Sequence, residues 1–263
     1  MIDIGVNLLH PQFDPDRDAV LDRAWRAGVE HIVVTGTDLA ASADAAAFAA
    51  RHGASRLSAT AGIHPHDARQ APQDWLERLE ALCRGEAVVA VGETGLDFNR
   101  NFSPPEDQLA LFEGQTRLAA RLGLPLFVHD REASDAVAGV LAAEADFSAG
   151  VVVHCFTGDR EALRRYLALG CWIGVTGWVC DPRRGRDLRA LAPEIPLERL
   201  LVETDAPFLR PGNAPRDDHG RRNEPALLPW VIETLAACRG EAPEALAAAT
   251  ADNARRFFRL GPA

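Results

Sequence analysis

Short hydrophobic runs that favour β-strands recur along the chain, and each is followed by a turn and a longer amphipathic segment typical of a helix. We identify eight such runs, at residues 2–6, 31–35, 57–63, 87–92, 124–128, 150–153, 171–175 and 200–203. The residues at or just after the ends of consecutive runs are 23 to 36 positions apart, which is about the length of one strand–helix unit. Eight near-equal units predict a single TIM-type (β/α)8 barrel domain over residues 1–263. The pattern at 243–258 predicts an additional C-terminal helix, which we expect to pack across the outside of the barrel.

The chain contains no lysine. All 28 basic residues are arginine, and they are outnumbered by 38 acidic residues, which gives a net charge of −10 before histidine titrates. This charge excludes a protein that binds nucleic acid through an overall basic surface. The absence of lysine excludes Schiff-base aldolases, pyridoxal-phosphate enzymes and P-loop NTPases, all of which need one.

The cysteines predict a reducing compartment. There are five, they are widely spaced, and none forms a CxxC pair. An odd, dispersed set without a secretory signal is typical of a cytosolic protein, so we expect a cytoplasmic location. No apolar run approaches the length that spans a membrane, and no membrane partner is expected. The sequence does not determine the oligomeric state, and we expect a monomer.

Four strand-end residues form the candidate active site. In barrels of this type the site is built where the strands end, and Glu93, His129, His154 and Asp205 all follow predicted strands. Two histidines and a carboxylate are a common ligand set for a catalytic divalent metal. A single histidine in such a place is more often a structural group, so the prediction depends on the whole constellation.

Residues 62–66, GIHPH, supply two more histidines at the barrel mouth. We interpret His64 as a contact of a phosphate or leaving group; metal ligation and a turn-capping role are the alternatives. No serine lies in a G-x-S-x-G setting and no GxGxxG follows a strand, which argues against serine hydrolases and dinucleotide enzymes. Because neighbouring strand residues point to opposite faces, Cys155 is not expected to pair with His154 and is assigned to the core.

Ordered motifs along essentially the whole chain resemble the TatD family of metal-dependent deoxyribonucleases. The motifs are DIGVNL at 3–8, GIHPH at 62–66, GETGLD at 92–97, HCFTG at 154–158, ETDAP at 203–207, DFNRNFS at 97–103, GVTGWVC at 174–180 and RNEP at 222–225. Much of the family ends its first strand in a His-x-His pair that binds one of two metals. Gly5 and Asn7 stand there in this chain, which matches the Gly-Val-Asn pattern of one branch of the family and leaves the first-strand metal site in doubt.

The resemblance implies a nuclease that removes nucleotides from 3′ ends, prefers single-stranded DNA and has RNA as an open second substrate. It implies Mg²⁺ as the cofactor, with Mn²⁺ and Zn²⁺ as alternatives. One firm metal is expected at Glu93, His129 and His154, and a weaker one between Glu93 and Asp205. Asp205 is expected to orient or deprotonate the attacking water, and His64 to stabilise charge on the phosphate. His66, Arg221 and Arg222 are predicted to contact the substrate.

Arginines cluster after the seventh and eighth predicted strands, on the expected active face. Two sets are present, Arg183, Arg184 and Arg186 and then Arg210, Arg216, Arg221 and Arg222. They are candidate phosphate contacts or simply a solvated charged surface. Trp178 shortly precedes the first set and is either a base-stacking residue or part of the core. Asn223 is predicted to cap the helix that follows it.

Two other functions stay open at this stage. A metal-dependent D-aminoacyl-tRNA deacylase would use the same scaffold and the same kind of activated water. A catalytically inert binding protein would keep the barrel after losing the first metal pair, but the four strand-end residues argue against this. No feature of the sequence separates the nuclease from the deacylase.

Overall fold

The computed structural model describes residues 1–53, 55–215 and 220–261 and contains an eight-stranded parallel sheet. Each strand pairs with the next one along the chain. A parallel bridge between Val6 and Ala206 joins the first strand to the segment after the last, and the predicted TIM-type barrel is confirmed. The strands are β1 (Ile2–Val6), β2 (His31–Val34), β3 (Leu57–Ala61), β4 (Val88–Asp97), β5 (Leu126–Arg131), β6 (Val151–Val153), β7 (Trp172–Val175) and β8 (Leu200–Val202).

Helices alternate with the strands and begin and end at residues suited to those positions. At the start of α2, the Asp38 carboxylate accepts hydrogen bonds from the N–H groups of Ala40 and Ala41. Helix α4 ends at Gly123, which has the left-handed conformation that favours glycine. The helices are α1 (Arg17–Arg26), α2 (Leu39–His52), α3 (Trp75–Cys83), α4 (Pro105–Leu122), α5 (Ser134–Glu144), α6 (Arg160–Leu169), α7 (Arg186–Leu191), α8 (Leu228–Arg239) and α9 (Pro243–Phe258).

Strand β4 extends five residues beyond the predicted run, so Glu93 lies inside a strand rather than after one. Its pairing with β5 shifts register between Val91 and Thr94. Further along, Gly95 has a φ of 134°, and a Cβ there would lie 2.0 Å from the carbonyl oxygen of His129. Only glycine fits this close approach of β4 and β5. Glu93 and His129 are therefore positioned by strand backbone, which holds them more firmly than a loop would.

The seam between β1 and β8 is closed largely by the side chain of Asp3. The Thr204 N–H donates to Asp3 Oδ1 over 2.9 Å, and the Thr204 hydroxyl donates to Oδ2 over 2.6 Å. Beyond this pair, the N–H of Asp205 donates to the Gly5 carbonyl and the N–H of Asn7 to the Ala206 carbonyl. These contacts join the barrel through the completely buried carboxyl group of Asp3 and two backbone hydrogen bonds, in place of a continuous β-ladder.

This seam predicts a pH-dependent contribution to stability. Burial raises the pKa of Asp3 to about 8, against the lowering effect of its hydrogen bonds to Thr204. An unfolded chain loses this proton near pH 3.9, so between about pH 4 and pH 8 the native state binds the extra proton. The stabilisation is therefore present at low pH and is lost as the pH rises through 8.

Asp3→Asn removes this titration. The free energy of unfolding of the wild type, relative to Asp3→Asn, should fall with rising pH by at most about 1.4 kcal/mol per unit. Chemical denaturation at pH 5, 6, 7 and 8 measures this, because the contributions of the other groups cancel in the difference. A difference that does not vary with pH would contradict the prediction.

Helix α9 covers the N-terminal end of the barrel, and the expectation that it lies across the outside is corrected. Phe257 stands edge-on to Trp172 at the start of β7, with ring centroids 5.5 Å apart. Phe257 and Phe258 belong to the cluster of interior residues that includes Ile2 and Phe127. The small residues that precede them, Ala251 and Ala254, allow this close packing. Of the helices in the described residues, none is both long and apolar enough to cross a membrane.

Candidate metal centre

Glu93 lies at the centre of a histidine cluster toward the C-terminal ends of β3 to β6. Its Oε1 atom is 2.7 Å from Nε2 of His154, 3.0 Å from Nδ1 of His129 and 3.3 Å from Nε2 of His64. One candidate ligand atom from each of His64, Glu93 and His129 lies within 4.8 Å of the others. The structure thus brings His129 and His154, two of the predicted ligands, to a third, Glu93, and adds His64, for which metal ligation was only an alternative.

The electrostatics of the cluster favour positive charge around Glu93. Burial raises the pKa of Glu93, but His154 and His64 more than reverse this and hold it well below its usual range. Burial lowers the pKa of His154, but Glu93 and Glu203 more than reverse this and hold it well above its usual range. Burial lowers the pKa of His64 to about 4, against the effect of Glu93. Glu93 is therefore an ionised, buried carboxylate beside a neutral His64, and it requires a compensating cation or proton.

The cluster fits a divalent metal. The Nε2 atom of His129 is buried and makes no hydrogen bond among the described residues, and Asp97 Oδ2 stands 3.5 Å from it. A buried ring nitrogen held only by so long a contact can accept a ligand. Imidazole nitrogens around one carboxylate form a donor set that Zn²⁺ and similar cations accept readily, and carboxylate oxygen suits Mg²⁺ and Mn²⁺.

Asp97 supports the cluster from the end of β4 and was missed in the sequence. Its Oδ2 is 2.7 Å from Nε2 of His66 and 3.5 Å from Nε2 of His129. The backbone N–H groups of Asn99 and Arg100 donate to its other oxygen. Burial raises the pKa of Asp97, but the contact with His129, the N–H of Arg100 and the hydrogen bond with His66 more than reverse this, and the pKa is lowered. His66 is thus oriented by an ionised acid, and the last residue of the GETGLD motif was the signal for it.

Glu203 is a second buried acid that sequence analysis did not select. Its Oε1 accepts a 2.6 Å hydrogen bond from the N–H of Cys155, and its Oε2 is 3.4 Å from Nδ1 of His154. A Cβ on Gly5 would lie 2.4 Å from Glu203 Oε2, and one on Gly174 would lie 2.6 Å from Oε1. The glycine at the first-strand position therefore makes room for Glu203, which orients His154 toward Glu93.

Asp205 faces the same cavity but pairs with the first strand. Its Oδ1 accepts a 3.1 Å hydrogen bond from the amide of Asn7. Burial raises the pKa of Asp205 to about 7, against the lowering effect of His154. Its φ of 54° lies in the left-handed region, a conformation that aspartate and asparagine adopt more readily than most residues. Asn223, predicted as a helix cap, instead donates through its amide to the carbonyls of Thr204 and Phe208 and braces this segment.

A cavity of about 600 Å³ opens above the cluster and contains two arginines with little to neutralise them. The guanidinium of Arg100 has no hydrogen-bond or ion-pair partner within the ranges that the structure describes. The guanidinium of Arg131 lies 3.4 Å from the Thr157 hydroxyl and over the ring of Trp178, and it forms no ion pair within the described residues. Trp178 is part of the cavity wall, and Arg184 also lies over its ring, 4.5 Å from the centroid. Five carboxylates line the same cavity, so Arg100 and Arg131 form a local site for a phosphate and the cavity as a whole is not positively charged.

The other predicted arginines are placed differently. Arg222 was expected to contact substrate, but its guanidinium donates to both oxygens of Asp16, 2.7 and 2.8 Å away, and lies over the ring of Phe13. The loop after β8, which carries Arg222, folds back onto the start of α1, and this turns Arg222 away from the cavity wall. Arg221 is exposed on the same loop, outside the cavity wall. Arg216 lies outside the described residues.

Cys155 is corrected from a core residue to a residue of the cavity wall. Strand β6 ends at Val153, so strand alternation does not extend to Cys155. Its φ of 46° turns the side chain toward the cavity. Burial raises the pKa of the thiol well above its usual range, which disfavours the thiolate and hence a nucleophilic role.

An eight-stranded parallel barrel with a carboxylate among three histidines at the C-terminal ends of its strands defines a metal-dependent hydrolase. The profile of the family described as TatD related DNase matches residues 2–259. The chain belongs to this family.

Close relatives and solved structures share the whole chain. The 3′-5′ ssDNA/RNA exonuclease TatD of Erwinia billingiae is 48% identical over 99% of both chains. The protein of the same name from Salmonella typhimurium is 46% identical, also over 99% of both. Among solved structures, YjjV, a TatD homolog from Escherichia coli K12, superposes with a TM-score of 0.90 at 33% identity, covering 99% of this chain and 98% of that one. A TatD family hydrolase from Entamoeba histolytica gives 0.89 at 26% identity with the same coverage.

Proposed function

We propose that this protein removes nucleotides from the 3′ ends of single-stranded DNA and RNA by metal-dependent hydrolysis. The observation that carries the proposal is the pairing of the Glu93 histidine cluster with Arg100 and Arg131 in one cavity. The cluster provides a hydrolytic centre, and arginines without an acidic partner suit the phosphates of a nucleic acid. The names of relatives that are 46% to 48% identical over the full chain support the choice of substrate and of the 3′ end.

The residues that would hold the metal are Glu93, His64, His129 and His154. When bound, a divalent cation supplies charge stabilisation for the phosphoryl group and lowers the pKa of water. Family resemblance favours Mg²⁺; the carboxylate oxygen also suits Mn²⁺, and the imidazole nitrogens suit Zn²⁺. The other residues have roles around this centre: Asp97 and Glu203 fix the orientations of His66 and His154.

Asp205 is the proposed proton acceptor for the attacking water. It faces the cavity, and the amide of Asn7 fixes one of its oxygens and leaves the other available. A carboxylate whose pKa lies near the working pH is well suited to general-base catalysis. As the alternative to metal ligation, the neutral imidazole of His64, whose Nδ1 accepts the His66 N–H, can donate its Nε2–H to a phosphate oxygen; His66 borders the same space. Arg221, exposed on the loop after β8, is proposed to contact the strand beyond the cavity.

We also propose that the chain acts as one hydrolase domain over residues 1–263 and works as a cytoplasmic monomer. All five cysteines are free, and those in the core show raised pKa values because they are buried. Such thiols suit a reducing compartment.

The test follows 5′-labelled single-stranded DNA with metal-stripped protein, to which Mg²⁺, Mn²⁺ or Zn²⁺ is added back. We expect a ladder that shortens one nucleotide at a time and depends on the metal. His129→Ala should abolish it, because this substitution removes one of the Glu93 contacts, and His52→Ala on α2 is the matched control. Intact DNA with every metal, together with release of amino acid from D-aminoacyl-tRNA, would identify a deacylase and contradict the proposal.

A further inference from the structure

The two most exposed large hydrophobic side chains of the described residues both lie beside the catalytic cavity: Phe208 lines it, and Phe102 packs on His66, which lines it. Phe102 is 67% exposed and Phe208 is 46% exposed. Phe102 lies in the loop between β4 and α4, and Phe208 lies in the segment after β8. Single exposed hydrophobic residues are common on protein surfaces, so exposure alone indicates nothing. Two such rings beside one cavity are less common, and this position suggests a role in binding.

Each ring stands edge-on to a histidine of the cavity wall. Phe102 lies 4.7 Å from His66 between ring centroids, at an angle of 65°. Phe208 lies 5.4 Å from His10, at an angle of 80°. In an edge-on pair one face of the phenyl ring is left uncovered by its partner. The two phenylalanines thus present flat apolar surfaces beside the space above Glu93.

The backbone under both rings is fixed by hydrogen bonds. Next to Phe102, the buried Ser103 donates its hydroxyl to the His66 carbonyl over 2.8 Å and accepts from the N–H of Arg69 over 3.0 Å. The N–H of Phe208 donates to the Asp205 carbonyl, and its carbonyl accepts from the Asn223 amide. Exposed rings on a fixed backbone are preorganised to receive a ligand at little further cost in entropy.

The two rings lie on different sides of the barrel mouth. Phe102 and His66 belong to the loops that follow β4 and β3, whereas Phe208 and His10 belong to those that follow β8 and β1. In an eight-stranded closed order β4 and β8, the strands that precede the two phenylalanines, are half the circumference apart. The Glu93 cluster, Arg100 and Arg131 line the cavity that Phe208 and His66 also border.

We propose that Phe102 and Phe208 each stack on a nucleobase, so that the bases on either side of the scissile phosphate are held at opposite sides of the mouth. This inference rests on the proposed nuclease function and deepens it. A base in a duplex is already paired and stacked within its own helix, so it cannot lie on either ring. The enzyme should therefore prefer a 3′ end whose last two nucleotides are unpaired.

Phe102→Ala and Phe208→Ala test the proposal with oligonucleotides that carry an abasic residue at the terminal or the penultimate position. Each variant should raise KM for the complete oligonucleotide roughly ten-fold, as expected from the loss of one stacked base. With the abasic residue at the matching position, the KM values of wild type and variant should differ by no more than about two-fold, because no base is left to stack. Phe→Tyr at either position should restore the wild-type KM, since the ring is kept.

A binding measurement separates stacking from catalysis. The fluorescence of 2-aminopurine at either of the last two positions should be quenched on binding to metal-stripped wild type and should remain higher with the corresponding alanine variant. The two alanine variants are matched controls for each other, since both truncate an exposed phenylalanine and each should lose quenching at only one of the two positions. An unchanged KM and full quenching in both variants would overturn stacking while leaving the nuclease intact. Absence of both cleavage and binding by the wild type would overturn the nuclease proposal and this one together.

Discussion

Replacement of Glu93 by glutamine is expected to reduce nuclease activity by about 10³-fold or more. One oxygen of Glu93 contacts all three histidines of the centre, at distances of 2.7 to 3.3 Å. Glutamine keeps the shape of the side chain and removes its charge, so the site loses the group that compensates a bound cation. The charge stabilisation that a metal gives to a phosphoryl group amounts to several kcal/mol, and its loss corresponds to this change in rate.

The loss should appear in metal binding as well as in turnover. Calorimetric titration of metal-stripped protein with Mn²⁺ should show a large loss of affinity for Glu93→Gln. Glu132→Gln makes the same chemical change at an exposed acid that follows β5, and it should bind and cleave as the wild type does. Normal Mn²⁺ affinity in Glu93→Gln would show that the centre described here is not the metal site.

The barrel and the core of this centre were predictable from the sequence because both depend on periodic features. Buried parallel strands are read as apolar runs, and the eight runs matched the eight strands in order. The rule that barrel enzymes build their sites at strand ends then selected Glu93, His129 and His154. These three do converge, since strands that start at one end of a closed barrel must finish at the other.

The features that sequence analysis missed depend on three-dimensional contacts without a local pattern. Glu203 precedes Asp205 in a strand-end motif, but its burial between Gly5 and Gly174 follows from the approach of three strands. The placement of Arg222 depends on the path of a long loop back to Asp16, 206 positions away in sequence. Cys155 was misplaced because strand alternation was extended past the end of a three-residue strand.

Replacement of Asp205 by asparagine is expected to lower kcat by about 10² to 10⁴-fold, with little change in KM. This is the range that a positioned general base contributes. Asparagine tolerates the left-handed backbone of this position and can still accept the hydrogen bond from Asn7, so the fold and the local geometry should be kept. Single-turnover cleavage of a labelled oligonucleotide measures the chemical step directly.

The same variant separates the two roles that the sequence allowed for Asp205. A proton acceptor can be lost without loss of the metal, so Asp205→Asn should retain most of the wild-type affinity for Mn²⁺ while Glu93→Gln does not. A metal ligand would instead lose affinity and activity together. Asn7→Ala should give a smaller fall in kcat, on the order of 10-fold, because it removes the group that orients Asp205 rather than the base itself. Equal loss of Mn²⁺ affinity in Asp205→Asn and Glu93→Gln would contradict the assignment of Asp205 as a base and place it among the ligands.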